Sequence, residues 1–199
     1  TEGDWADDRW NESVHGPWQA YYFPTPSGVV RKGLAIRVGP RGGDTVLFDT
    51  ALGQWRSVWS GGFLRFDSAR FGLLKAPTPA GEVQFTLPDT DSWSGGEYRW
   101  RGFAVCSNSL VLEYTVGDVL IRESPGVLRA GDVSLWTRDM EFGAGSQTTT
   151  RLVVLPAPPG ATLVPPAPSV GVLGFQDATR TTAAAMNAPP GIALTRAPD

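Results

Sequence analysis

The sequence predicts an all-β chain: a jelly-roll-like antiparallel β-sandwich with an aromatic N-terminal arm and an extended Pro/Ala-rich tail. Three observations lead there. The 199 residues hold 24 glycines and 17 prolines, which break helices and populate tight turns. Short apolar runs recur between turn residues at the ~8–12-residue spacing of sandwiches and barrels. No segment keeps a helical period beyond a few turns.

Three regions follow from composition. Residues 1–28 form an aromatic and acidic arm, with Trp5, Trp10, Trp18, Tyr21, Tyr22 and Phe23 among Asp4, Asp7, Asp8 and Glu12. Pro17, Pro24 and Pro26 rule out a long helix there. Residues 29–155 carry the sandwich. Leu34, Ile36 and Val38 alternate with Ala35 and Arg37, as in a strand with one buried face. After the turn at Gly39–Gly43 the strand resumes over Thr45–Asp49 and closes a hairpin. Phe63–Phe66, Val83–Leu87 and Tyr98–Val105 read as further strands. The clearest signal is Leu110–Val116, then Gly117–Asp118, then Val119–Glu123, a hairpin on a two-residue turn. A turn at Ser124–Ala130 leads to Val133–Met140, and Thr148–Leu155 ends the series.

Residues 156–199 are punctuated by Pro156, Pro158, Pro159, Pro165, Pro166, Pro168, Pro189 and Pro190. Such a stretch is expected to be extended and without a hydrogen-bonded ladder. Leu163, Val164, Val170, Val172, Leu173 and Phe175 make it more apolar than a free linker, so an arm that lies along the domain or a partner is set ahead of a disordered tail.

Composition excludes several functions. The net charge of −3 lacks the basic face that nucleic acid needs. No apolar run reaches the ~18–20 residues of a membrane-spanning helix. The single cysteine, Cys106, allows no internal disulfide and is expected to be a small buried hydrophobe. His15 is the only histidine, so no zinc site of the usual kind and no catalytic triad is expected. Asp4, Asp7, Asp8 and Glu12 lack the glycine-punctuated spacing of a calcium loop and read as a solvated acidic face. Pro40–Gly43 has no lysine and no following helix, so it is no phosphate cradle. No Cys-x-x-Cys-His binds haem. No cofactor, no metal and no catalytic residue is therefore assigned. Asp49, Asp67, Asp89, Asp91, Glu97 and Glu113 could pair for sugar hydrolysis, but nothing in the sequence says which converge.

Aromatic rings are more informative. Trp55, Trp59, Trp93 and Trp100 lie among small residues, where an indole can lie flat and meet a sugar ring or a protein surface. Against this stands the core-filling role that tryptophan plays in a charge-poor β-domain. The residues assigned to partner or ligand binding are Trp5, Trp10, Trp18, Trp55, Trp59, Trp93 and Phe175.

Several motifs carry a resemblance. Lys32–Val38, Leu47–Phe48–Asp49–Thr50, Trp59–Leu64, Tyr98–Gly102 and Leu112–Asp118, preceded by Asp4–Trp5 and Gly16–Pro17, resemble an uncharacterised bacterial domain family. That domain opens large exported proteins with c-type cytochrome domains, sometimes beside carbohydrate-degrading modules. The resemblance implies export to the periplasm or beyond and a cytochrome-containing neighbourhood, and it supplies no catalytic residues. A first residue of Thr1 fits removal of a signal peptide, and without a haem motif any cytochrome is expected to be a separate chain. Two expectations result. One is a non-catalytic accessory subunit docking a protein partner through its aromatic and Pro-rich arms. The other is a carbohydrate-binding or carbohydrate-acting module with Trp55, Trp59 and Trp93 as platform and Asp49 or Glu97 as polar partners.

Overall fold

The computed structural model describes residues 16–40, 42–68, 72, 74–90, 92–107, 109–131, 133–145, 150–154, 162–164, 171–176 and 181–186. The chain divides into two compact units, Thr1–Leu152 and Val153–Asp199. The first is built from antiparallel strands, as predicted. β1 (Trp18–Thr25), β2 (Gly28–Val38), β3 (Asp44–Asp49), β4 (Gln54–Ser60) and β7 (Glu82–Thr86) form a five-stranded sheet in the order β1-β2-β3-β4-β7. β9 (Tyr98–Cys106), β10 (Ser109–Val116), β11 (Val119–Ala130) and β12 (Val133–Phe142) form a four-stranded sheet in the order β12-β11-β10-β9. Two small pairs join β5 (Leu64–Arg65) to β6 (Thr78–Pro79), and β8 (Trp93–Ser94) to β13 (Arg151–Leu152). Almost every neighbour in the two large sheets is a neighbour in sequence. The path is thus a pair of meanders rather than the sheet-alternating route of a jelly roll.

Side-chain alternation explains the sandwich. Leu34, Ile36, Val38, Val46, Phe48, Trp55 and Val58 of the five-stranded sheet pack with Leu110, Leu112, Tyr114, Val116, Ile121 and Val127 of the four-stranded sheet. The opposite face of the five-stranded sheet is not left to water. Phe23, Val30, Ala35, Leu47 and Trp59 form a second core with Phe63, Leu64 and Phe66 from the segment that follows β4. β3 is buried at every position, and most of β2 and β4 with it. The half-buried strand expected at Leu34–Val38 is therefore buried on both faces, with Arg37 alone partly exposed, and Ala35 lies in the second core.

Other differences have local causes. Residues 18–25 are not part of a separate arm: β1 is an edge strand, paired from Trp18↔Ile36 to Thr25↔Gly28. The turn expected at Ser124–Ala130 is strand, because β11 continues to Ala130 and pairs with β12 along its whole length. Pro125 is tolerated there since the ladder to β10 ends at Leu112↔Glu123, so its missing N–H withholds nothing from that side. Cys106 is exposed, not buried, because β9 ends on it beside Ser107, which turns the chain with φ 55°.

The second unit contains β14 (Thr162–Val164), β15 (Gly171–Gln176) and β16 (Thr181–Met186), an antiparallel three-stranded sheet in that order. A ladder does form here, in segments free of proline, which corrects the expectation of a ladder-free tail. Phe175 lies on β15, opposite Leu163 on one side and Thr182 on the other.

The predicted β10–β11 hairpin is present. Val116 pairs with Val119 across Gly117–Asp118, and Gly117 takes φ +60°, which a side chain resists. Against this turn lies Gly96: a Cβ on it would stand 2.6 Å from the Gly117 nitrogen, which is backbone and cannot move aside. Gly96→Ala should cost about 2 kcal/mol or more by strain, whereas Gly43→Ala, with open space around it, should stay within about 0.5 kcal/mol. Chemical denaturation of the two variants measures the difference.

Candidate functional site

Three features of the first unit hold polar or concave chemistry. The first is a buried ionic network between the sheets. Glu123 of β11 is fully buried and accepts four hydrogen bonds. Two come from Arg138 of β12, Nε at 2.8 Å and Nη2 at 2.7 Å. Tyr114 Oη gives a third at 2.6 Å, and Trp55 Nε1, reaching across from the other sheet, a fourth at 2.6 Å. The Arg138 guanidinium also lies 5.2 Å from the centre of the Trp55 ring. Burial opposes the Arg138 charge, but Glu123 and Tyr114 outweigh it and hold the guanidinium above its ordinary range. Burial and the Glu123 charge push the phenols of Tyr98 and Tyr114 far above theirs, so both remain hydroxyl donors.

The second feature is an apolar groove of about 370 Å³ on the face of the five-stranded sheet away from the four-stranded one. Trp59 and Leu47 line it with Phe23, Pro24, Pro79 and Val83. Val83 is 38 % exposed, so the lip is open to solvent while the Trp59 ring is buried. The turn between β1 and β2 is pinned toward the β7 side by the bond from Ser27 Oγ to the Leu87 carbonyl, 2.7 Å.

The third is a smaller hollow of about 280 Å³, lined by Ala51, Leu52, Ser92, Trp93, Gly96, Glu97 and Tyr98. The polar tips of its rings hold the β3–β4 turn: Trp93 Nε1 donates to the Gly53 carbonyl at 3.1 Å and Tyr98 Oη to that of Thr50 at 3.2 Å. Glu97 is exposed and bonded to Arg99 at 2.7 Å, which holds its carboxyl below the usual range.

Among the predicted binding residues, Trp5 and Trp10 lie outside the described residues, as do His15 and the Asp4, Asp7, Asp8, Glu12 cluster. Trp18 is half-buried on β1, edge-on to Phe103 with ring centres 4.9 Å apart. Trp55, Trp59 and Trp93 are 4 %, 1 % and 9 % exposed, and each indole N–H is satisfied within the chain. They are core, not an exposed platform. Gly- and Ser-rich flanks suggested a loop, but Trp55 and Trp59 sit on β4, where both faces are covered.

Four of the candidate carboxylates, Asp49, Asp89, Glu97 and Glu113, are tied to arginines. Asp49 and Asp89 meet at Arg56, whose Nη1 lies 3.5 Å from Asp49 Oδ2 and 2.7 Å from Asp89 Oδ1. Burial raises the Asp49 carboxyl above its ordinary range, although the Ala51 N–H and Arg56 oppose the rise. Glu113 pairs with Arg122, and Asp91 lies outside the described residues. No group of three or more metal-ligating side chains occurs among the described residues. Sequence reasoning missed Arg56, Glu123 and Arg138. The available signal was a charge inside an otherwise apolar or two-face-buried strand, Arg56 in Gln54–Ser60 above all.

Residues 46–123 match the model of a domain of unknown function, DUF6797. The matched stretch begins in β3 and ends at Glu123, so it takes strands from both sheets and contains Trp55 and Tyr114, while Arg138 lies beyond it. No curated protein matches the chain, and no solved structure does either.

Removing one member of a buried charge pair strands the other. Glu123→Gln and Arg138→Met should each cost about 3–5 kcal/mol, and the double variant Glu123→Leu/Arg138→Met clearly less than the sum. A double-mutant cycle by denaturant unfolding reads the coupling, and additivity would show that the pair is not coupled.

Proposed function

We propose that this chain is a non-catalytic accessory subunit whose β-sandwich receives an apolar segment of a protein partner in the groove floored by Leu47 and Trp59. The observation that carries the reading is the groove itself. It is a concave, largely apolar strip beside the exposed edge residue Val83, on a sheet whose central strand β3 is buried at every position. The carboxylates weighed as catalytic pairs support it further: Asp49 and Asp89 are bridged by Arg56, and Glu113 and Glu97 are bonded to arginines. The resemblance noted from the motifs adds the setting, an exported assembly that contains a c-type cytochrome. Docking is placed here on the groove rather than on the aromatic arm, since Trp18–Thr25 is an edge strand of the five-stranded sheet.

The test places a charge on the lip. Val83→Glu should change stability by no more than about 0.5 kcal/mol, yet abolish co-purification with the assembly from the native source. Undiminished co-purification, with a photo-crosslinker at position 83 capturing nothing, would remove the groove from the account.

A second reading has its own observation. The hollow beside the β3–β4 turn sets the exposed Glu97 next to the buried Trp93 and the half-buried Tyr98, a mostly polar set suited to hydrogen-bonding a saccharide rather than stacking on it. On this reading indole fluorescence shifts as a polysaccharide is added, and Glu97→Gln weakens the response several-fold. Silence across a broad glycan panel argues against it.

A further inference from the structure

Arg56 occupies an unusual place in β4. Leu47 pairs with Ser57 and Phe48 with Trp55, so Arg56 is the extra residue of a β-bulge and opposes nothing on β3. Bulges re-aim the side chain they carry. This one directs a guanidinium inward, with 0 % of the side chain exposed. Nη1 serves Asp89 and, more distantly, Asp49. The remaining edge, Nε and Nη2, is buried without a hydrogen-bond partner in the protein. Buried donors are nearly always paired. These two nitrogens form the side-on fork that fits two oxygens of a carboxylate or phosphate. Arg138 grips Glu123 with the same pair of nitrogens.

Asp89 meets this arginine at Nη1, not at the unpartnered Nε–Nη2 edge. Its side chain is 58 % exposed, so the guanidinium lies one side chain below the surface. The segment bearing it packs on Gln54, whose amide, assigned with its nitrogen toward the Pro88 and Thr90 carbonyls (3.2 Å each) and its oxygen toward Ser92 Oγ (3.1 Å), satisfies all three.

We propose that Arg56 anchors a subsite for one small oxyanion, a carboxylate or phosphate group, on its Nε–Nη2 edge, with Asp89 on Nη1 as a competing charge. Asp49 and Asp89 already offset the arginine's charge, so an added anion binds better as Asp89 swings away or is neutralised. Arg56 does not line the groove, so the outcome bears on this subsite alone.

The experiment titrates the full chain with inorganic phosphate, and separately acetate, at fixed ionic strength, by calorimetry and thermal melting. Saturable binding is expected in the wild type, at least tenfold tighter in Asp89→Asn, and lost in Arg56→Lys, which keeps the charge but not the fork. Equal binding by Arg56→Lys, or none by either the wild type or Asp89→Asn, overturns the proposal. Should Arg56→Lys not fold, a crystal structure of Asp89→Asn grown in phosphate decides. An anion on Nε and Nη2 supports the subsite, and water alone there refutes it.

Discussion

A carboxylate buried between two apolar sheets is tolerable only if every lone pair is engaged, and the architecture around Glu123 meets that condition. Its four donors come from three strands: Arg138 from β12, Tyr114 from β10 and Trp55 from β4 in the facing sheet. Apolar contacts alone let two sheets slide by a residue with modest loss. A directional bond from Trp55 to Glu123 does not, since any slip breaks it and leaves a charge unpaired in the core. We therefore regard this network as the pin that fixes how the sheets register. Arg129 supplies a similar tie near the sandwich rim, where its Nη2 bonds both oxygens of the buried Asp44 at 2.6 Å.

With the sheets pinned, the other face of the five-stranded sheet is free to carry function. The segment after β4 covers part of it with Phe63, Leu64 and Phe66, and the bond from Trp59 Nε1 to the Phe63 carbonyl at 2.6 Å anchors that cover. The groove is what the cover leaves open. Its floor is rigid, because Leu47 and Trp59 belong to strands paired on both sides, while its lip at Val83 lies on the sheet's edge. A fixed floor with an accessible border suits recognition of a preformed partner with little ordering cost.

Much of this fold was legible in local chemistry. Period-two alternation located β2 and β7, and Gly117–Asp118 between two apolar runs located the β10–β11 hairpin, which is present in register. What stayed illegible depended on distant chain. Alternation at Leu34–Val38 implied one buried face, and only residues some thirty positions on cover the other. Ser124–Ala130 read as a turn because nothing local reveals that the ladder to β10 stops short of Pro125. Indoles flanked by glycine and serine looked available, yet their exposure was decided by strands that approach from elsewhere. The site followed the same rule: Arg56, Glu123 and Arg138 are unremarkable letters until the partners that neutralise them are known.

Pro125 has a further effect. Beyond Glu123, β11 keeps β12 as its paired neighbour, while β10 runs on to Ser109 without a ladder to it. Pro125 is buried where the two strands part. A backbone N–H aimed at the missing ladder would be orphaned there, away from water, and proline carries none.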